Sequence, residues 1–172
     1  MRNLAQQQPE LQNSLTITEA EMRSNNGDPQ GAIALISDAL RDQPDNTELL
    51  YSRAMTAEKV GDMARLEKDL KRIITLNPDD ASALNALGYT LGNRTDRLDE
   101  AYQYVSRALE LRPDDPAILD SMGWVLYQRG EPEAARDYLR RAYEKFPDPE
   151  VAAHYGCLLY TSDAADEHSC GD

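Results

Sequence analysis

The side chains that could carry out acid–base or nucleophilic chemistry are few and scattered in this sequence. His154 is the only histidine before residue 157, and both cysteines, Cys157 and Cys170, lie near the C-terminal end. A histidine with no chemical partner at a fixed spacing is more typical of a surface or packing position than of a general base. The sequence contains no H-E-x-x-H, G-x-x-x-x-G-K-[ST], G-x-G-x-x-G, G-x-S-x-G or C-x-x-C motif. We therefore predict a protein that is not an enzyme and that holds no metal and no cofactor.

Paired acids and one mixed charge cluster are the remaining candidates for chemistry. Asp79 and Asp80 follow one proline, and Asp114 and Asp115 follow another. Aspartate accepts hydrogen bonds from the free N–H groups of a helix N-terminus, so these pairs favour N-caps over a catalytic carboxylate pair. The stretch 94–97, "RTDR", favours a local ion pair and cap, with a partner contact as the alternative.

Composition and charge exclude several classes of protein. The chain has 172 residues, 31 acidic and 18 basic, with a formal net charge of −13 and only 6% aromatic residues. An excess of acid argues against a nucleic-acid partner, because phosphate contacts need clustered lysine and arginine. No apolar run approaches the length of a membrane span and no signal-peptide pattern opens the chain. A composition rich in Ala, Leu, Asp, Glu and Arg indicates an all-α protein.

Prolines recur at intervals of 34 or 35 residues, at Pro9, Pro44, Pro78, Pro113 and Pro147. Proline cannot continue a helix interior, so each one is expected to close a helix. The residues between successive prolines contain two apolar helical segments separated by a turn with glycine or a capping residue. We predict paired helices at 10–25 and 28–42, 45–59 and 62–76, 80–92 and 97–111, and 115–129 and 131–145.

Small residues recur in register with these prolines. On the first helices one position holds Ala54, Gly88 and Gly123; on the second helices two positions hold Ala32, Ala101 and Ala135, and Ala39, Ala108 and Ala142. Glycine inside a helix costs up to about 1 kcal/mol relative to alanine. We expect close packing of the paired helices to offset that penalty.

The pattern L-x-x-L-G-x-x-L, followed by spaced alanines and a proline every 34 residues, resembles the tetratricopeptide repeat. The resemblance implies an all-α, right-handed superhelical solenoid of antiparallel helix pairs. It places four units at about 10–44, 45–78, 79–113 and 114–147, the remnant of a preceding repeat at 1–9, and the start of a truncated fifth repeat at 148–156. The lost second helix of that repeat would leave Val151, Ala152 and Tyr155 partly uncovered.

In such arrays the first helices line the concave side, which makes one stripe of side chains a candidate groove. Residues four and seven apart share a helix face. The predicted groove consists of Tyr51, Met55, Asn85, Tyr89, Asp120, Trp124 and Tyr127. The alternative is that Trp124 and Tyr89 fill the seam between adjacent repeats. A groove without clustered Lys and Arg favours a protein or peptide partner with apolar or aromatic side chains over an acidic tail.

Three longer stretches, within 84–102, 113–130 and 138–154, resemble the C-terminal part of a bacterial tetratricopeptide-repeat family. Members often carry a lipoprotein signal and lie in the periplasm at the outer membrane, and one branch is an adaptor for a carboxyl-terminal-processing protease. The resemblance implies an envelope adaptor whose partner is that protease or its substrates. The alternatives are a cytoplasmic protein, a repeat appendage of a metalloprotease or glycosyltransferase, and self-association through exposed terminal repeats.

The last residues depart from the repeat pattern. "CLLYTSDAADE", residues 157–167, resembles a translated sequencing-library adapter. We therefore expect 157–172 to be a non-native tail, in which His168 and Cys170 have no meaning as ligands. A natural disordered tail is the alternative.

Overall fold

The computed structural model describes the backbone of residues 2–169 and the side chains of residues 10–160. Over residues 2–169 the chain forms nine α-helices and no strand: α1 (Arg2–Asn25), α2 (Pro29–Asp42), α3 (Thr47–Lys59), α4 (Met63–Leu76), α5 (Ala81–Arg94), α6 (Leu98–Leu111), α7 (Pro116–Gln128), α8 (Pro132–Lys145) and α9 (Pro149–Ser169). They group into two compact units, Met1–Pro78 with α1–α4 and Asp79–Asp172 with α5–α9.

Local signals position helices α2 to α8, which begin and end within two residues of the predicted ranges. Four prolines, Pro44, Pro78, Pro113 and Pro147, each lie two residues after a helix end. Proline keeps the residue before it out of the α region, so the helix stops before it is reached.

The two terminal helices are longer than the repeat pattern predicts. Helix α1 runs through Pro9, where a helix end was expected. Helix α9 continues past Gly156, where the predicted tail begins, and Leu158 is fully buried. Alanine, leucine and acidic residues beyond Gly156 are compatible with helix, and no proline follows to stop it. The side chains of His168 and Cys170 lie outside the described residues.

The turns inside the helix pairs use glycine in three of the four cases. Gly27, Gly61 and Gly130 have φ of 87°, 74° and 78°, a left-handed conformation that glycine adopts without a steric penalty. The third pair lacks this glycine; its connection, residues 95–97, is as long as the others, and Thr95 follows α5 in an extended conformation. This repeat, with a spacing of 35 residues between Pro78 and Pro113, has its additional residue in α5, which has 14 residues where α3 and α7 have 13.

The second polar residue after the proline caps the next helix. The side chain of Asn46 accepts from Leu49 N at 3.0 Å, and that of Asp80 accepts from Ala83 N at 2.9 Å. Asp115 accepts in the same way from the first turn of α7. These bonds satisfy N–H groups that have no partner within the helix.

The first acid after the proline pairs with a cation on the second helix of the same unit. Arg72 lies 2.6 Å from Asp45, Arg107 lies 2.6 Å from Asp79, and Lys145 lies 3.1 Å from Asp114. This ion pair occurs in three successive repeats. It joins the second helix of each repeat to the turn that precedes the first helix of the same repeat. The paired acids thus have two structural roles, one as ion-pair partner and one as cap.

Acid should weaken the fold through these carboxylates. The side chain of Lys145 donates a hydrogen bond to Asp114 and lowers its pKa below the ordinary 3.8, and Arg140 does the same to the pKa of Asp137. Groups with a lowered pKa stabilise the fold above their unfolded value and lose that contribution as pH falls through the folded value. We expect the urea concentration at half-unfolding to decrease as the pH is lowered from about 5 to about 3. Asp114→Asn should reduce this dependence, and an unchanged slope would contradict the role of the pair.

Glycines lie where the helices of a pair approach closely. A Cβ added to Gly88 would lie 2.5 Å from Val105 Cγ2 on α6, and one added to Gly123 would lie 2.5 Å from Leu139 Cγ on α8. Both distances are too short for carbon atoms in contact. No side chain larger than hydrogen fits at either position unless the facing helix moves.

Helix α9 is better covered at its start than the sequence predicts. Val151 is only 6% exposed and packs with Leu119 and Ala142. Tyr155 is half-buried, with its ring 5.8 Å from the ring of Tyr143. The expectation of lost cover is therefore wrong for Val151, because α9 lies against both α7 and α8. Ala152 is exposed as expected.

Candidate functional site

Three first helices of the second unit, α5, α7 and α9, form one continuous face. Helix α7 packs against α5 on one side and against α9 on the other. Successive repeats bring equivalent positions together on this face, and one such position holds Asn85, Asp120 and His154. We call the face formed by Asn85, Tyr89, Asp120, Trp124, Tyr127, Glu150 and His154 the α5–α7–α9 face.

A buried acid–base pair lies at the centre of this face. His154 Nδ1 is 2.8 Å from Asp120 Oδ2, and both side chains are less than a tenth exposed. A carboxylate orients an imidazole by accepting its N–H, so the pair fixes the ring of His154 against α7. The two residues lie 34 positions apart in the sequence, so the pair joins two successive repeats.

Two aromatic rings of α7, those of Trp124 and Tyr127, lie next to this pair. The rings of Trp124 and His154 are stacked, with centroids 4.1 Å apart and an angle of 18° between their planes. Trp124 is also stacked on Tyr127, at 5.4 Å and 23°. Trp124 remains half-buried, so part of its surface is open to a partner. Such rings provide large contact area with few rotatable bonds.

Tyr89 crosses from α5 to α9 over this cluster. Its hydroxyl donates a hydrogen bond to Glu150 Oε1, and its ring lies 6.1 Å from the ring of His154. Helix α7 lies between α5 and α9, so the Tyr89 side chain spans it. The bond between Tyr89 and Glu150 closes one side of the α5–α7–α9 face.

Three buried polar atoms on this face have no hydrogen-bond partner among the described residues. They are Asn85 Oδ1, Asp120 Oδ1 and Trp124 Nε1. A buried polar atom without a partner costs about 1–3 kcal/mol, and more when the group is charged. Most buried polar atoms in proteins are paired, so these three atoms call for partners such as water, an ion or a bound ligand.

The structure brings five of the seven predicted groove residues onto this one face. Tyr51 and Met55 lie on α3 of the first unit, both half-buried. The sequence interpretation missed Glu150 and His154 and took His154 to be isolated, which is wrong because Asp120 and Trp124 contact it. Repeat register could have found it, since His154 lies 34 residues after Asp120.

The predicted charge cluster at 94–97 is a local structure. Arg97 pairs with Glu100 at 2.6 Å, and its backbone N–H donates to Thr95 Oγ1 at 3.1 Å. The ion pair thus reaches forward into α6. Arg94, the last residue of α5, and Asp96, in the turn that follows, are both exposed.

A second concavity, of about 680 Å³, lies in the first unit between α2 and α4. Its floor contains Arg53, which makes two hydrogen bonds to Asp69, at 2.7 and 2.8 Å, and one to Ser37 at 3.0 Å. The Arg53 and Asp69 side chains are 14% and 2% exposed. Their mutual pairing satisfies both charges, so the floor of this cleft is a structural ion pair.

Neither a metal site nor a membrane span emerges from the described part of the chain. No group of three His, Cys, Asp or Glu side chains there could hold a metal ion. Of the described helical segments, none combines the length and hydrophobicity needed to cross a bilayer.

Comparison with known proteins identifies the repeats. Residues 18–65 and 79–148 each match a family model described as tetratricopeptide repeat. The TPR repeat-containing protein PA4667 of Pseudomonas aeruginosa is 49% identical over 150 residues, which cover 87% of this chain and 25% of that protein. The chain thus spans about a quarter of the length of this relative.

Solved structures show the same fold at low identity. A tetratricopeptide-repeat protein of Thermus thermophilus, TTC0263, is similar with a TM-score of 0.76 and 21% identity, covering 90% of this chain and 85% of that one. The Pseudomonas aeruginosa protein pilF is similar with a TM-score of 0.77 and 20% identity, covering 91% and 71%. The chain is therefore an all-α protein whose two units are both built of tetratricopeptide repeats.

Proposed function

We propose that this chain is a non-enzymatic scaffold that holds a protein or peptide partner against the α5–α7–α9 face. The observation that carries the proposal is the group of three buried, unpaired polar atoms beside a partly exposed Trp124. Tetratricopeptide repeats are protein-interaction modules, and concave repeat surfaces are where such modules bind. Trp and Tyr anchors dominate binding energy at protein interfaces.

Removing the aromatic anchors should abolish binding without unfolding the chain. Peptides selected from a random library on the intact chain should bind the double variant Tyr89→Ala, Trp124→Ala about a hundredfold more weakly or worse, because anchor residues contribute 2 kcal/mol or more each. The matched control is Tyr102→Ala, Tyr143→Ala, which removes two exposed rings from the second helices α6 and α8. Far-UV circular dichroism checks that both variants keep their helices. Undiminished binding by the first double variant would contradict the proposal.

We further propose that the parent protein is an adaptor or assembly factor of the bacterial cell envelope. The support is the 49% identity to a protein of a Gram-negative bacterium over most of this chain, together with the resemblance of the C-terminal repeats to envelope adaptors. Its partner would then be a carboxyl-terminal-processing protease or that protease's substrates. The same resemblance supports a location in the periplasm, at the outer membrane.

Two observations on the parent gene separate this role from its rival. A lipoprotein signal ahead of the repeats, with the product recovered in the outer-membrane fraction, supports the envelope adaptor. An H-E-x-x-H motif or a glycosyltransferase domain in the same reading frame supports a repeat appendage of an enzyme. A product found in the cytoplasmic fraction contradicts the envelope location.

A further inference from the structure

The α5–α7–α9 face is acidic and aromatic. Its described side chains include the carboxylates of Asp120 and Glu150, and none of its members is lysine or arginine. The only basic side chain of the face is His154, which Asp120 and Trp124 already engage. Charge complementarity therefore favours a cationic side chain on the partner.

Asp120 is the group that most needs a further donor. One of its oxygens accepts from His154 at 2.8 Å, and the other, Oδ1, is buried without a partner. The residue is only 6% exposed, so water does not screen its charge as it would at the surface. A buried carboxylate with one oxygen unpaired is stabilised by any donor that reaches the second oxygen.

The second carboxylate stands at the edge of the same face. Glu150 is exposed and accepts a hydrogen bond from the hydroxyl of Tyr89. It lies one helical turn before His154 on α9. A donor on the partner would compete with the Tyr89 hydroxyl for Glu150.

A guanidinium group fits these requirements better than an ammonium group. It is planar, carries five N–H donors in a fixed fork, and is more weakly hydrated than the ammonium of lysine. It can donate to two carboxylates at once. Trp124 Nε1, which is a donor without a partner, would remain to bind a carbonyl oxygen of the partner backbone.

We propose that the partner segment presents an arginine side chain to this face. The guanidinium takes the place of the Tyr89 hydroxyl on Glu150 and donates to Asp120 Oδ1, beside the stacked rings of Trp124 and His154. This assignment rests on the function proposed above and names the chemistry of the partner. It is independent of the partner's compartment.

The test uses the fluorescence of Trp124, which is the only tryptophan of the chain. The full chain is titrated with acetyl-Ala-Phe-Arg-Phe-Ala-amide and with versions that carry citrulline, lysine or glutamate in place of arginine. We expect a saturable change with the arginine peptide and an affinity about tenfold or more lower for the citrulline peptide, since charge-assisted hydrogen bonds are lost. The lysine peptide should bind several-fold more weakly than the arginine peptide, and the glutamate peptide weakest of all.

Variants locate the binding site. Asp120→Asn keeps an oxygen that can accept from His154 but removes the negative charge. Glu150→Gln keeps an oxygen that can accept from Tyr89 and removes the negative charge at an exposed position. Each variant should bind the arginine peptide about tenfold more weakly and should bind the citrulline peptide with unchanged affinity. Asp96→Asn, which removes an equal charge from the exposed α5–α6 turn, should change neither affinity.

Each outcome decides between the two proposals. Equal affinity for the arginine, lysine and citrulline peptides, or unchanged binding to both Asp120→Asn and Glu150→Gln, overturns the assignment of arginine. If library-selected peptides still depend on Tyr89 and Trp124 in that case, the scaffold function stands and only the assignment falls. If binding depends neither on the arginine of the peptide nor on Tyr89 and Trp124, the proposed scaffold function is contradicted.

Discussion

Replacing Arg53 by methionine is expected to lower the free energy of unfolding of the first unit by about 3–5 kcal/mol. Arg53 and Asp69 form a bidentate pair that is almost fully buried, with Asp69 only 2% exposed. Methionine fills a similar volume but carries no charge, so Asp69 is left buried without a counter-ion. The large effect comes from that uncompensated charge and not from the attraction between the two groups. Urea unfolding followed by far-UV circular dichroism measures it.

Two matched variants separate burial from ion pairing as the cause. Arg72→Met breaks an ion pair of similar length, 2.6 Å to Asp45, but both side chains are about half exposed. Exposed pairs are worth about 0–1 kcal/mol, so this variant should have a small effect. Arg53→Met combined with Asp69→Leu removes both buried charges and should recover most of the lost stability. Equal effects of Arg53→Met and Arg72→Met would show that burial of the pair does not matter.

Gly123→Ala is expected to destabilise the second unit, although alanine favours a helix more than glycine does. The new Cβ would lie 2.5 Å from Leu139 Cγ and 3.1 Å from Leu139 N. The first atom is a branch point and the second belongs to the backbone, so neither can move aside without moving α8. Overpacking of this kind costs about 1–3 kcal/mol, which exceeds the gain of up to about 1 kcal/mol from helix propensity.

The control for this prediction is a second helical glycine in open surroundings. A Cβ added to Gly156 meets no atom within 4 Å. Gly156→Ala in α9 should therefore leave the second unit unchanged or stabilise it by up to about 1 kcal/mol. Trp124 fluorescence during urea unfolding reports on the second unit in both variants. A stabilised Gly123→Ala would show that α7 and α8 can separate without penalty.

The helices of this protein were predictable because their limits depend on short segments. A proline two residues after a helix, a capping Asn or Asp before the next one and a glycine at positive φ each act within a few residues of the chain. The two errors of length occur where these signals are weak. Pro9 alone does not stop α1, and nothing after Gly156 stops α9 before residue 169.

The candidate site was predictable in part, because a helix face follows from spacing along one helix. Asn85, Tyr89, Asp120, Trp124 and Tyr127 were identified in this way and do share a face. His154 and Glu150 were missed because their partners lie 34 and 61 residues away in the sequence. Only the packing of α9 against α7 shows that the isolated histidine is a member of a buried pair.

The sequence by itself determined the repeat length, the limits of α2 to α8 and the positions where two helices approach closely, since these follow from backbone sterics and local hydrogen bonding. The tertiary structure alone decided which polar groups are buried and which of them are paired. It assigned Asp79 to Arg107 and Asp80 to a cap, although the two acids are adjacent and chemically identical. It also left one oxygen of Asp120 without a partner. Pairing depends on distances between helices that no local pattern fixes, and the proposed specificity of the binding face rests on that pairing.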